Sequence, residues 1–311
     1  MEAMQIVQSQ SGLTLRAAQA PKPVPGEGEV LIRVHAAGVT ATELDWYPTT
    51  HQKSGEARLH AIPGHEFSGV VEAKGDGVSG FTVGQAVYGM NDWFADGATA
   101  EFCLAPPQSI SAKPAKLTHE AAATVPIGAL TAWQGLFDRA KLQPGERVLV
   151  HGGAGGVGLF AVQLAHHHKS HVIATTSSQT ATLVKELGAD EVIDYKKERF
   201  EELVRDVDVV FDTVGGETRE RTWSVLKPKG RMVTVAADGE SSNDPRIKQH
   251  YFIVEPNRER LGELAKLLDD GSLKTFVKAS VPLADAAAAY AHKVPKMLGY
   301  GKVVVTISTT S

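Results

Sequence analysis

The sequence predicts an α/β protein, a small β-barrel or sandwich followed by a doubly wound parallel-sheet domain, and three observations carry that prediction. Short β-type runs punctuated by Gly and Pro fill the first third of the chain. From Arg147 onward, apolar β-branched runs alternate with helix-like segments. A glycine-rich turn joins the first of these runs to the helix behind it. With 311 residues, 42% hydrophobic and 22% charged, the chain is long enough for two cores of ordinary globular composition.

Taken in order, the early β-type runs are 30–34, 69–73, 85–88 and 99–104, separated by turn-forming stretches such as Pro21 to Gly28. Thr118, placed to cap a helix over 119–123, and the helical texture of 131–139 mark a change of domain. Strand 148–151 then runs through the glycines into helix 159–167. Strand 172–175 precedes helix 180–187, strand 191–194 precedes helix 200–204, and strand 207–212 precedes helix 217–226. Strand 231–235 closes the series. The tail holds an amphipathic helix over 258–268, an alanine-rich one over 283–293 and a strand over 302–307, and periodicity does not say which domain they join. The expected division is 1–123, 124–254 and a C-terminal segment 255–311.

The 32 Lys+Arg and 36 Asp+Glu are well mixed, for a net charge of −4, so no field gathers nucleic acid or anionic lipid. No run reaches the roughly 18 apolar residues of a membrane span. One cysteine, Cys103, excludes a disulfide framework and fits a reducing compartment. Residues 1–5 lack the basic and apolar regions of a leader, and a cytoplasmic location is expected.

The strand over 148–151 leads straight into Gly152-Gly153-Ala154-Gly155-Gly156-Val157-Gly158, which holds G-x-G-x-x-G at Gly153, Gly155 and Gly158. Between a strand and a helix, this pattern points to a dinucleotide. The first glycine permits the tight turn, the second lets backbone approach a pyrophosphate, and the third lets helix and strand pack closely. The helix N-terminus offers free N–H groups to the phosphates. At the end of the next strand an acid would bind the 2′-hydroxyl of NAD. The chain instead reads Thr175-Thr176-Ser177-Ser178-Gln179-Thr180, without an acid, which favours NADP(H). Those hydroxyls either donate to a 2′-phosphate or cap the next helix. Later strand ends, Thr213-Val214-Gly215 and Val235-Ala236, are candidates to line the nicotinamide and ribose. His166-His167-His168 is expected to be a solvated helix end and Cys103 a buried thiol.

The chain resembles the medium-chain dehydrogenase/reductase superfamily over nearly its whole length, and more narrowly its zinc-free quinone oxidoreductase (zeta-crystallin-like) branch. The motifs that carry the resemblance are Ala36-Ala37-Gly38-Val39, Pro63-Gly64-His65-Glu66-Phe67-Ser68-Gly69-Val70-Val71, Leu130-Thr131-Ala132-Trp133, the glycine run, Leu187-Gly188-Ala189-Asp190 and Gly301-Lys302-Val303-Val304. It implies a GroES-like catalytic domain, a Rossmann NADP(H) domain, a tail that returns to the catalytic domain, an interdomain active site and a homodimer. The glycine motif, the strand ends and the resemblance together give an expected cofactor-binding set of Thr131, Gly153, Ala154, Gly155, Gly156, Val157, Gly158, Thr176, Ser177, Ser178, Tyr195, Thr213, Val214, Val235, Ala236 and Lys302.

In zinc-dependent members, His65 and Glu66 would belong to the metal site. A catalytic zinc needs three protein ligands and an open position. Thr40 stands where the first cysteine would fall, and Pro126-Ile127-Gly128 offers no second one. No metal is therefore expected, and His65 and Glu66 are expected to form a hydrogen-bonded pair. Without a Lewis acid the electrophile must arrive activated, as quinones and α,β-unsaturated carbonyls do. Thr40, Thr42 and Tyr47 are the candidate proton donors, with solvent or a purely structural role as the alternatives. Trp46, Tyr47, Trp93 and Phe94 are candidates to line a flat acceptor. An NADPH-binding sensor without turnover and a zinc alcohol dehydrogenase are the competing functions.

Overall fold

The structure is a computed structural model that describes the whole chain except residues 11, 241, 296–298 and 308–311. The tail expected to span 255–311 therefore lies partly outside the described residues.

The chain opens with an antiparallel hairpin, β1 (Glu2–Ser9) and β2 (Gly12–Gln19). Strand β3 (Val30–Gly38) follows, then a 3-10 turn over Ala41–Asp45 and the short helix α1 (Tyr47–Thr50). Next come β4 (Glu66–Lys74), β5 (Ala86–Met90), β6 (Phe102–Ala105) and β7 (Ile110–Ala112). Helix α2 (His119–Ala122) starts at Thr118, whose side chain accepts from the Ala121 N–H as expected of a cap. Helix α3 (Pro126–Trp133) has Pro126 in its first turn and continues as a π-helical segment, Gln134–Arg139.

The parallel-sheet half is β8 (Arg147–His151), α4 (Gly158–His167), β9 (His171–Thr176), α5 (Ala181–Glu186), β10 (Glu191–Asp194), α6 (Phe200–Leu203), β11 (Val207–Asp212), α7 (Gly216–Thr222) and β12 (Leu226–Thr234). These five strands make a parallel sheet in the order β10-β9-β8-β11-β12, so the direction of winding reverses beside β8. Their apolar residues alternate between two cores. Val148, Val150, Val172, Ala174, Val209 and Phe211 face one side, while Leu149, Ile173, Val210 and Met232 face the other. Burial on both faces explains why the strands read as continuous apolar runs.

Helices α8 (Pro245–His250) and α9 (Arg258–Asp270) lead to β13 (Val277–Pro282), α10 (Ala286–Tyr290) and β14 (Lys302–Thr306). Strands β13 and β14 enter the second sheet, in the order β13-β14-β3-β4-β5-β7 with β6 also on β3. Val303, Val305, Ala286 and Tyr290 fill that sheet's core beside Val34, Phe67 and Cys103. Helix α9 is capped by Asn257 and stopped at the left-handed Gly271, and it buries Leu261, Leu264, Ala265 and Leu268. The Tyr88 hydroxyl of β5 donates to the Leu261 carbonyl at 2.7 Å, which fastens this helix to the first half of the chain.

The alanine-rich segment is shorter than its sequence predicts, because His292, with a positive φ of 54°, takes the chain out of the helix. Cys103 is buried, and burial pushes its thiol far up. His166 and His167 are solvent-exposed, whereas His168 is half-buried against the Phe137 ring.

Candidate functional site

The glycine turn is built by exclusion. Gly152, with φ +76°, supplies the left-handed turn one residue ahead of the motif. A Cβ on Gly158 would stand 2.1 Å from the Gly152 carbonyl oxygen, and one on Gly153 3.0 Å from the Ala174 Cβ. Those two glycines serve close packing. Gly155 and Gly156 are different: added Cβ atoms there would meet only the Gly152 oxygen at 3.3 Å and the Lys302 Cε at 3.5 Å. That side is left open ahead of the ten-residue helix α4, which leaves room for a pyrophosphate to approach the backbone. Behind the turn, His151 is fully buried, with its ring nitrogens 3.2 Å from Thr175 Oγ1 and 2.8 Å from Thr222 Oγ1. Burial holds this imidazole down, at about 4.

At the ends of β9 and β10, Thr176 Oγ1 and Ser177 Oγ lie 2.6 Å and 3.3 Å from Thr180 Oγ1. The Ser178 hydroxyl donates to Asp194, which pairs in register with Thr176. The turn is thus not free of acid: a carboxylate arrives from the neighbouring strand, where spacing along β9 could not show it. That hydrogen bond, with help from the Lys196 N–H and Lys197, holds Asp194 below the usual carboxylate range. Tyr195 follows it, exposed at the rim.

Asp212 is fully buried at the end of β11. One of its oxygens accepts from the Val214 and Gly215 N–H groups at 2.9 Å, and the other from the Thr234 hydroxyl at 2.8 Å. Thr213 donates to the His151 carbonyl at 2.7 Å. Arg219, also buried, grips Asp238 with two hydrogen bonds of 2.9 and 2.8 Å. Thr213, Val214, Val235 and Ala236 therefore sit together on fixed loops outside the carboxyl ends of β11 and β12, beside the glycine turn.

From the other half, Lys302 reaches the Glu66 carboxylate and lies 3.5 Å from Thr40 Oγ1. The second Glu66 oxygen accepts from the Ile127 N–H at 2.9 Å. Glu66 is fully buried, and burial pushes its carboxyl up while Lys302 opposes. Gly38 leaves the space, since a Cβ there would stand 2.7 Å from the carboxylate. Thr40, Glu66, Lys302 and Gly156 are thus gathered at one seam. Thr131 spends its hydroxyl on the Ile127 carbonyl at 2.6 Å. Thr42 and Tyr47 are solvent-exposed, and Tyr47 stacks on His51 with centroids 4.4 Å apart.

His65 and Glu66 are not bonded to each other, contrary to expectation. As neighbours in an extended segment they point to opposite faces. His65 is buried with Nδ1 2.5 Å from Glu43 Oε1 and Nε2 2.9 Å from the Trp93 carbonyl. Glu43 was missed by sequence reasoning, although an acid on the turn after Thr40 was the available signal. Both ring nitrogens are occupied and Thr40 replaces a thiolate, so these residues do not fit a three-ligand zinc. No group of three His, Cys, Asp or Glu side chains among the described residues is placed to hold a metal.

Comparison with known proteins places this geometry in context. Residues 26–115 match the alcohol dehydrogenase GroES-like domain and residues 187–305 the zinc-binding dehydrogenase family. The quinone oxidoreductase of Mus musculus is 31% identical, over 92% of this chain and 91% of its own. The 2-methylene-furan-3-one reductase of Solanum lycopersicum is 34% identical, over 82% of this chain and 66% of its own. Among solved structures, a quinone oxidoreductase from Coxiella burnetii superposes with a TM-score of 0.87 at 30% identity, covering 99% of each chain. A mycobacterial protein complexed with NADPH gives 0.82 at 30% identity, over 98% of this chain and all of its own.

Proposed function

Because the chain belongs to the medium-chain dehydrogenase/reductase family of oxidoreductases, we propose that it is an NADPH-dependent reductase of quinones or α,β-unsaturated carbonyls that works without a metal. The observation that carries this reading is the seam itself, where the open glycine cradle meets Lys302 and Thr40 while His65 has no nitrogen left for zinc.

Gly155, Gly156 and the start of α4 would hold the pyrophosphate, with Lys302 within reach of its charge. Ser177, Ser178 and Tyr195 would face the 2′-phosphate, with Lys196 and Lys197 beside them to answer Asp194. Thr213, Val214, Val235 and Ala236 would form the wall against the nicotinamide. Bound there, NADPH supplies a hydride. Negative charge then develops on the acceptor oxygen, and Thr40, backed by the Lys302 ammonium, is the best-placed hydroxyl to donate to it. Thr42 and Tyr47 have only solvent-facing positions from which to do so. Among the described residues, the outer edge of β12 carries no further strand beyond one bridge from Thr234 to Tyr251, which supports pairing with a second copy. Small-molecule turnover in the cytosol fits the mixed charge and the single buried thiol.

The test follows NADPH absorbance after chelator treatment, with 1,4-benzoquinone, 9,10-phenanthrenequinone and a simple enone as acceptors and NADH as control. Rapid oxidation of NADPH, slow oxidation of NADH and no loss with chelator are expected. Cofactor binding without turnover of any acceptor would replace the reductase with a sensor.

A further inference from the structure

We propose that His65, held between Glu43 and the Trp93 carbonyl, has become a positioning residue that joins the two aromatic walls of the acceptor pocket. This role rests on the reductase reading of the same site, in which both imidazole nitrogens are engaged by protein oxygens.

The 3-10 turn over Ala41–Asp45 starts at Thr40, whose carbonyl accepts from the Glu43 N–H at 2.9 Å, and ends at Trp46, whose N–H donates to the Glu43 carbonyl at 3.2 Å. Leu44 of this turn packs into the apolar core, and beside it Glu43, 1% exposed, is buried with its Oε1 also accepting from the Gly64 N–H at 2.5 Å. On the opposite side, the loop after β5 carries Trp93. The His65 carbonyl accepts there from Asn91 N–H at 3.3 Å, and the His65 ring donates to the Trp93 carbonyl. A carbonyl only accepts, so the hydrogen bond to Trp93 runs from Nε2, while Nδ1 lies in hydrogen-bond contact with the carboxylate. The imidazole is thereby fixed at both ends.

Around it lie the indoles. The Trp93 ring is 5.1 Å and the Trp46 ring 6.4 Å from the imidazole centroid, and the two indoles meet edge to face at 5.5 Å. Both tryptophans are partly exposed, whereas His65 is not. The histidine therefore acts through them. It fixes the separation between the turn that carries Thr40 and Trp46 and the loop that carries Trp93. A flat acceptor needs that separation held, and a cofactor bound along the glycine turn does not.

The experiment uses full-length protein with Trp133→Phe and Trp223→Phe, so that emission comes from Trp46 and Trp93 alone. Anthraquinone-2-sulfonate is the quenching probe. His65→Phe keeps a ring and removes both contacts, and Glu43→Gln leaves an acceptor for Gly64 and disturbs only one end. For His65→Phe we expect about a tenfold rise in probe Kd and in KM for the quinone, with NADPH Kd within about twofold. For Glu43→Gln a smaller rise in the same direction is expected. Equal loss of probe and NADPH affinity, or no change in either, overturns the proposal. If His65→Phe does not fold, an unchanged probe Kd in Glu43→Gln overturns it. Stoichiometric zinc in the wild type that His65→Phe loses overturns it as well. The two readings fail separately. Probe binding that depends on His65 without turnover sustains the clamp and refutes the reductase, while turnover with His65-independent probe binding does the reverse.

Discussion

Replacing Lys302 with methionine tests the seam where the two halves meet. The variant keeps an unbranched side chain of similar length beside Gly156 and removes the ammonium from a carboxylate with no exposed surface. Breaking a buried ion pair from one side costs about 3–5 kcal/mol, because the remaining charge is left without a partner. Glu66 keeps the Ile127 N–H, which places Lys302→Met toward the lower end, at about 3 kcal/mol and a fall in Tm on the order of 10 °C. The pH dependence carries a definite sign. Burial already raises Glu66, and the substitution removes the group that opposes the rise. A carboxyl raised in the folded state contributes stability that is whole below its unfolded value and lost as pH rises through its folded one. The deficit against wild type should therefore shrink toward pH 5 and grow toward pH 8. Denaturant unfolding followed by circular dichroism at both pH values measures it. A deficit under about 0.5 kcal/mol at pH 8, or one that grows on acidification, refutes the reasoning.

Other outcomes follow from the remaining sites. Asp194→Asn removes the charge beside Ser178 and should move the NADPH-over-NADH ratio of kcat/KM up by about tenfold, read in paired steady-state assays. Asp212→Asn puts an amide where three donors converge, and should cost about 2–3 kcal/mol in thermal unfolding while raising cofactor Kd. Burial holds His151 and His119 down at about 4, so the unfolded chain protonates first. Their contribution is whole above about pH 6.5 and is lost as pH falls toward 4, which should appear as a Tm that drops across that window and drops less in His119→Asn.

Much of the fold was legible because local rules and tertiary demands agree. The glycine turn announces itself since Gly152 and Gly158 admit no side chain, and α9 since its apolar stripe and its Asn257 and Gly271 caps coincide with its buried face. The hairpin β1–β2 escaped because its Glu, Gln and Ala residues carry little β preference and only one face is covered. Strand β13 escaped because Lys278 and Ser280 interrupt its apolar run. Within the site, strand-end residues were placed by topology, whereas the decisive pairings were not. Glu43 meets His65 across 22 positions, Ser178 meets Asp194 across 16, and Glu66 meets Lys302 across 236. Periodicity reports which face a residue takes, and partners so far apart are chosen by strand register and sheet order.

Strand β14 also sets an order of events during synthesis. It seals β3 along Ala36, Ala37 and Gly38, the half of that edge which β6 leaves uncovered. The parallel sheet is complete once residue 234 has left the ribosome, but this edge stays open until 302–306 emerge, roughly tens of seconds after β3 at ordinary translation rates. Throughout that interval the nascent chain offers bare backbone N–H and C=O groups flanked by valines, a template for mispairing with neighbouring chains. A stop codon placed ahead of residue 302 would therefore yield aggregate for clearance by the quality-control machinery, rather than a shortened but folded product.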